Sequence, residues 1–391
     1  MADTNEEMGA PSVVKASYWY PDGEDKDPAT SAQTIPSALF THLFCAFADL
    51  DADTNKAFIS EVHAQRFATF TETVKIRNDQ VKTLLSIGGR LGNNSAFASM
   101  ASKQQSRKKF IDSWISIARS NGFNGLDLAW EYPNNETEMT DFGALVGELR
   151  YAVDAEHRRT SKPTLLLTAA VYYSSVYKTF TYPVKVMKDN LDWVNIIAYE
   201  LYTPLSYPHF TAPPAGLHAF SLDEDRSGDS GFRKWVEDGL PKNKAVFGFP
   251  YVGYAWTLQN DMDNGYHAAA SGVAKHEDVS EDGSINYDKI QKFITDEKAA
   301  HKYDSPVVGN HCFANKIWIA YDDTESVTAK VTYAKQNVLL GYFAWNVGAD
   351  VNTVLSTAGS SLFSSSFLFF FHLYSFIKYS LKLTAWKAWS G

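Results

Sequence analysis

Eight apolar, β-branched or aromatic runs recur along this chain with helix-forming segments between them. They fall at 13–20, 42–50, 81–89, 122–131, 164–172, 194–202, 245–253 and 339–348. Strands that lie under helices on both faces of a parallel sheet read as near-continuous apolar runs. Eight of them in β–α alternation is the number that closes a (β/α)8 barrel. The competing arrangement is an open doubly wound sheet, which favours a Gly-rich phosphate turn after its first strand; none follows Tyr20. A chain of 391 residues, 45% hydrophobic and 14% aromatic, is long enough to bury a barrel core. The seventh and eighth runs are too far apart for one connecting helix. The residues between them hold polar turns at 260–265 and 280–283 and a strand-like piece at 316–321, and 324–336 reads as the helix that returns to the barrel.

The fourth run, Gly122-Phe-Asn-Gly-Leu-Asp-Leu-Ala-Trp-Glu-Tyr-Pro133, carries the chemistry. Alternation along a strand puts Asp127, Ala129 and Glu131 on one face and Leu126, Leu128 and Trp130 on the other. The apolar face needs a helical layer. The acidic face needs a barrel interior or a cleft, because an enclosed carboxylate must find partners or shift its pKa. Pro133 ends the run just past Glu131, which places Glu131 at the carboxyl rim where α/β folds hold their active groups.

These residues resemble the Asp-x-x-Asp-x-Asp-x-Glu signature of family 18 glycoside hydrolases, and the chain as a whole is similar to the plant class V chitinase branch. The four signature positions are Asn124, Asp127, Ala129 and Glu131, so the second Asp and the Glu are kept while the first and third Asp are not. Further matches come in order: Ser86-Ile-Gly-Gly89, Val194-Asn-Ile-Ile-Ala-Tyr-Glu-Leu-Tyr202, Gly248-Phe-Pro-Tyr-Val-Gly-Tyr-Ala-Trp256 and Gly341-Tyr-Phe-Ala-Trp345. The resemblance implies an α/β fold, a TIM barrel over 13–358 with a small α+β insertion at 254–320 that walls one side of a cleft. The partners it implies are chitin or N-acetylglucosamine oligosaccharides, with no cofactor and no metal.

Family 18 is an exception among glycosidases in using the substrate's own N-acetyl group as nucleophile. By resemblance Glu131 is the acid that protonates the leaving oxygen, and Tyr199 donates to the acetamido carbonyl. Trp345 forms the floor under the sugar, and Tyr18, Phe47 and Tyr251 are further candidate binding residues. The third signature Asp orients the acetamido and balances the positive charge that develops; here it is Ala129. A methyl group accepts no N–H, and it shares no proton with Glu131, a coupling that would help keep the acid protonated. Losing one preorganised transition-state partner costs about 2.7 to 4 kcal/mol, roughly a hundred- to a thousandfold in turnover. Glu200, a methylene longer than the Asp found there in relatives, either reaches toward the vacancy or is a rim carboxylate paired with a nearby cation. Asp127 reads equally as a supporting or a catalytic carboxylate. Asn124 keeps the size and hydrogen-bonding capacity of the Asp it replaces.

A net charge of -9 argues against nucleic acid or an anionic membrane as partner. Two cysteines, Cys45 and Cys312, exclude a disulfide framework and leave no zinc-type spacing; Cys45 reads as a buried free thiol. Residues 1–12 are polar and acidic with no apolar h-region, so the chain as written is expected to be cytoplasmic, whereas the resemblance implies a secreted or vacuolar protein. Asn93-Asn-Ser95 and Asn135-Glu-Thr137 are glycosylation sequons. Within 359–391 a Phe-, Leu- and Ser-rich run at 360–383 interrupts what resembles a closing helix. Its serines and His372, Lys378 and Lys382 argue against a membrane span. A monomer is expected. Three functions remain open: a chitin-binding protein with little or no hydrolysis, a slow endo-chitinase, and a barrel used for storage or interaction.

Overall fold

The computed structural model describes residues 13–21, 31–221 and 225–362. The polar segment 1–12 and the Phe-rich run beyond residue 362 lie outside the described residues. Eight strands form the barrel: β1 (Val14–Trp19), β2 (His42–Asp51), β3 (Lys82–Gly88), β4 (Gly125–Ala129), β5 (Leu166–Tyr172), β6 (Trp193–Ile197), β7 (Ala245–Pro250) and β8 (Gly341–Trp345). Each pairs in parallel with its sequence neighbours. Closure comes from β1, which pairs with β2 from Ala16↔His42 and with β8 from Val14↔Gly341. The result is the (β/α)8 barrel expected from the eight runs, with no open edge in its parallel ring.

Alternation divides the side chains as the sequence requires. Leu126, Leu128 and Trp130 point outward into the main core under the helices, where Trp130 stacks on Phe97 at 5.9 Å and meets Phe142 at 6.1 Å. Ala129 joins Tyr18, Phe44, Ala46, Ala170, Tyr199 and Phe343 in the cluster that fills the barrel interior. Two of the covering helices begin at the sequons. Asn93 caps Asn94–Ala101 by accepting from the Ala96 N–H, and Asn135 caps Glu136–Thr160 by accepting from the Glu138 N–H. Both asparagines thus satisfy helix N–H groups that have no partner within the helix.

The seventh run ends differently from its sequence pattern. Apolar residues continue from Ala245 past Gly253, but β7 stops at Pro250. Tyr251 turns the chain, its N–H held by the Trp345 carbonyl at 2.6 Å. Val252–Leu258 then starts a separate antiparallel sheet with Ala270–Val273, Ser284–Asn286 and Ile317–Tyr321, extended by Gly309–Ala314 and Ala300–Asp304. One helix, Tyr287–Asp296, completes this α+β unit. The sixth run also stops early, at Ile197, so that Ala198 to Tyr202 leave the strand and form the rim. Helix Thr324–Gln336 returns the chain to the barrel. Cys45 and Cys312 are both free and buried. Among the described residues no helix is long and apolar enough to cross a membrane, and no three His, Cys, Asp or Glu side chains converge as a metal site.

Candidate functional site

Strand register sets the floor of the site. Ser86, Asp127 and Thr168 are paired across β3, β4 and β5, which puts them at one level of the barrel interior. The Asp127 carboxylate is fully enclosed there and accepts four hydrogen bonds. Ser86 Oγ (2.6 Å) and Tyr18 OH (2.8 Å) donate to one oxygen, and Thr168 Oγ1 (2.5 Å) and Asn195 Nδ2 (3.2 Å) to the other. Asn195 is itself fixed, because its Oδ1 accepts from the Trp193 indole at 2.9 Å. Burial raises the Asp127 pKa and the four donors oppose it, the balance staying above the ordinary value. With both oxygens engaged, Asp127 has no acceptor capacity directed at the mouth. These bonds fix the Tyr18 hydroxyl and tie three neighbouring strands at one register.

Ser86, Thr168 and Asn195 were not singled out as site residues by the sequence reading. Each is a polar residue enclosed on the interior face of its strand among mainly apolar neighbours, and that parity was the available signal. Asn124 accepts from the Thr83 N–H through Oδ1 at 3.0 Å, a contact an amide makes without needing the charge of an aspartate.

Two residues above Asp127, Ala129 presents only its methyl, 1% exposed. Its carbonyl accepts from the Gly89 N–H at 2.8 Å, and a side chain on Gly88, at φ +104°, would meet that same carbonyl at 2.5 Å. Glycine at 88 is therefore what lets β3 close against β4 beside the site. Glu131 follows at the rim. Its backbone carbonyl is held by Asn94 Nδ2 at 2.7 Å, while among the described residues no hydrogen bond to its carboxyl group is found. Burial, then the negative charge of Glu200, pushes the Glu131 pKa up to about 8; Arg90 pulls the other way. Proton sharing with residue 129 is thus not needed to keep Glu131 protonated near neutral pH, since burial and Glu200 accomplish it. Folding shifts Glu131 from 4.5 toward 8, so the folded chain binds this proton more tightly than the unfolded chain, and stability falls as pH rises across that window. Glu131→Gln is expected to match the parent at pH 4 and to exceed it at pH 8 by on the order of 2 kcal/mol in urea unfolding, with cleft water relaxing part of the burial penalty.

Glu200 is engaged on the side of the inserted unit. It sits at φ +56°, a left-handed conformation uncommon for a residue with a side chain, and its Oε1 accepts from Tyr254 OH at 2.9 Å. Burial raises its pKa, and the Arg90 charge and the Tyr254 hydrogen bond oppose the shift. Arg90, from the loop after β3, bonds Asp282 of the inserted unit at 2.5 Å. Glu200 thus stands at the rim, bonded to Tyr254 and within the field of the Arg90 charge. Arg90 itself went unnoticed in the sequence, where only its place directly after Gly88-Gly89 marked it.

Aromatic rings form the other part of the mouth. Trp345 is partly exposed, stacks on Phe47 at 5.7 Å and 21°, and meets Tyr18 at 5.6 Å and Tyr20 at 6.3 Å. Phe47 is held under Gly89, where a side chain would strike its ring at 2.5 Å. Tyr18 stacks on Phe44 at 4.4 Å and is 2% exposed, so it lies beneath this platform with its hydroxyl on Asp127. Tyr199 stands edge-on to Phe343 at 6.0 Å, 8% exposed, its pKa raised by burial and then by Glu131. Tyr251 is a correction. Expected among the binding residues, it is 1% exposed and packs in the outer core against Phe249, because the turn after Pro250 sends its side chain away from the mouth.

The carboxyl rim thus carries a partly exposed aromatic cluster at one side, a carboxyl group whose pKa is pushed up to about 8 at another, and a methyl two residues before that acid. The profile of the glycosyl hydrolases family 18 matches residues 13–350. The chain belongs to glycosyl hydrolase family 18. Over 357 residues this family 18 chain is 52% identical to a class V chitinase of Arabidopsis thaliana, covering 91% of each. It superposes on a class V chitinase of Nicotiana tobaccum with a TM-score of 0.86 at 42% identity, covering 91% of this chain and 100% of that one. A chitinase-like agglutinin from Robinia pseudoacacia matches with a TM-score of 0.80, also at 42% identity, over 90% of this chain and 100% of that one. The tobacco chitinase and the Robinia chitinase-like agglutinin thus stand at the same 42% identity to this chain, and the Arabidopsis chitinase is nearer at 52%.

Proposed function

We propose that this protein binds N-acetylglucosamine oligosaccharides of chitin in the cleft between Trp345 and Glu131, with hydrolysis of their β-1,4 linkages weak or absent. The observation that carries the reading is the pairing of Ala129 with a saturated Asp127. The one carboxylate near enough along the strand to replace the missing acceptor already has four donors. The tobacco relative has been solved as a mutant in complex with NAG4, and the Robinia relative is an agglutinin, so saccharide recognition on this scaffold does not depend on turnover. Stacking and remote contacts supply ground-state affinity independently of transition-state stabilisation.

Binding is tested by urea unfolding with and without a soluble chitin hexamer. Ligand at a hundred times its dissociation constant is expected to add about 2.7 kcal/mol of stability. No change would sink the saccharide reading and leave a barrel used for storage or interaction. Trp345→Ala is expected to weaken hexamer binding about tenfold, because central aromatic platforms dominate such contacts.

A second reading, a slow endo-chitinase with Glu131 as acid and base, is favoured by one observation: burial and Glu200 raise the Glu131 pKa to about 8, so the acid is in its working form at neutral pH. Release of short products from the hexamer by the parent chain, abolished in Glu131→Gln, would establish it over the binding reading.

A further inference from the structure

The ring order of the strands places β3 and β7 opposite one another, with β4, β5 and β6 on one arc between them and β8, β1 and β2 on the other. Arg90 leaves the end of β3. Asp282 belongs to the inserted unit that leaves the end of β7, and it is tied to that side: the neighbouring Gly283 carbonyl accepts from the Ala255 N–H at 2.9 Å, and Ser284 pairs with Tyr254 in the inserted sheet. The Arg90–Asp282 ion pair at 2.5 Å therefore crosses the barrel mouth from side to side. Trp345, Tyr20 and Phe47 lie on one arc and Glu131, Tyr199 and Glu200 on the other, so a saccharide touching both Trp345 and Glu131 has to pass the line of this pair.

We infer that the Arg90–Asp282 ion pair is a strap across the cleft that admits saccharide chain ends by threading and opposes entry of the middle of a polymer. The inference rests on the saccharide reading of the cleft. The two ends of the strap are unequal. Asp282 is anchored, its Oδ1 accepting from Ser284 N (3.0 Å) and Ser284 Oγ (2.7 Å), and its side chain is 22% exposed. The Arg90 side chain is 50% exposed, which makes it the end that lets go. Its guanidinium has a further attraction on the far arc, Glu200, which together with Asp282 holds its pKa above the ordinary value against the effect of burial. Arg90 that has left Asp282 thus remains near the cleft, and the strap recloses after a ligand departs.

An ion pair of this exposure is modest in strength and screened by salt. Opening it is expected to change polymer access by a factor of about two to five. The test compares, for the full chain, binding to colloidal chitin and to the soluble trimer of N-acetylglucosamine. In Arg90→Ala and Asp282→Asn the polymer-to-trimer affinity ratio is expected to rise about two- to fivefold, and the parent is expected to show the same rise between low and high salt. The exchanged pair Arg90→Asp with Asp282→Arg is expected to return the ratio toward that of the parent, which separates a lost strap from a damaged fold. A ratio that stays level or falls in both single variants overturns the strap. Failure of the parent to bind trimer and polymer alike overturns the saccharide reading and the strap with it.

Discussion

Ala129→Asp is expected to raise release of short products from a chitin hexamer by about a hundred- to a thousandfold, the rate value of one preorganised partner for developing charge. The gain depends on geometry already in place. Asp127 and Ala129 share one face of β4 and Glu131 follows two residues later at the rim, so a carboxylate at 129 emerges between the buried Asp and the rim acid. Tyr199 stays in place beside Ala129 in the interior cluster and Trp345 keeps its platform. The new carboxylate has a cost, because it enters an interior cluster of Tyr18, Phe44, Ala46 and Ala170 beside an Asp127 that already uses the nearby donors. The variant is therefore expected to melt at a lower temperature than the parent while turning over faster. Two controls isolate the cause. Glu131→Gln in the Ala129→Asp background is expected to abolish the gain. Ala129→Asn, which can accept the acetamido N–H but carries no charge, is expected to recover only a fraction of it. No gain in Ala129→Asp would mean that residue 129 is not what limits this cleft, and Glu200 bound to Tyr254 would become the leading obstacle.

The barrel was legible because its signal is repetitive. Eight apolar runs survive errors of several residues at any one boundary, and parity along the fourth run assigned the two faces of β4. The boundaries that moved are those where an apolar run serves two structures. Residues 245–258 are apolar almost throughout, yet they pass from a parallel barrel strand to an antiparallel strand of the insertion within one residue, and periodicity does not register the change of partner. Tyr251 was misplaced by that same turn. Arg90 and Asp282 escaped for another reason. They are separated by 192 positions, and only the closed ring brings β3 and the wall beyond β7 face to face. Glu131 illustrates an energetic blind spot: its partners could be guessed from a motif, but the burial that sets its pKa is a property of the assembled rim.

Lys330→Met is expected to cost about 3 to 5 kcal/mol of stability, measured by urea unfolding, the penalty of leaving a buried charge without its counter-ion. Lys330 Nζ lies 2.6 Å and 2.5 Å from the two oxygens of Asp322, and each side chain is 1% exposed. Burial raises the pKa of Asp322 and lowers that of Lys330, with each partner opposing the shift of the other. Replacing both together, Asp322→Leu with Lys330→Met, is expected to recover most of the loss, because apolar packing of similar volume competes well with a buried ion pair. The pair sits where the inserted unit meets the barrel. Asp322 directly follows the Ile317–Tyr321 strand that pairs with Val252–Leu258, and Lys330 lies in the helix that carries the chain back to β8. The pair thus fixes the inserted sheet to the barrel, and with it the wall that presents Tyr254 to Glu200 and Asp282 to Arg90. Loosening that joint in Lys330→Met is expected to relax discrimination between polymer and trimer as well as stability. The apolar double variant, which restores the joint without charge, is expected to regain both.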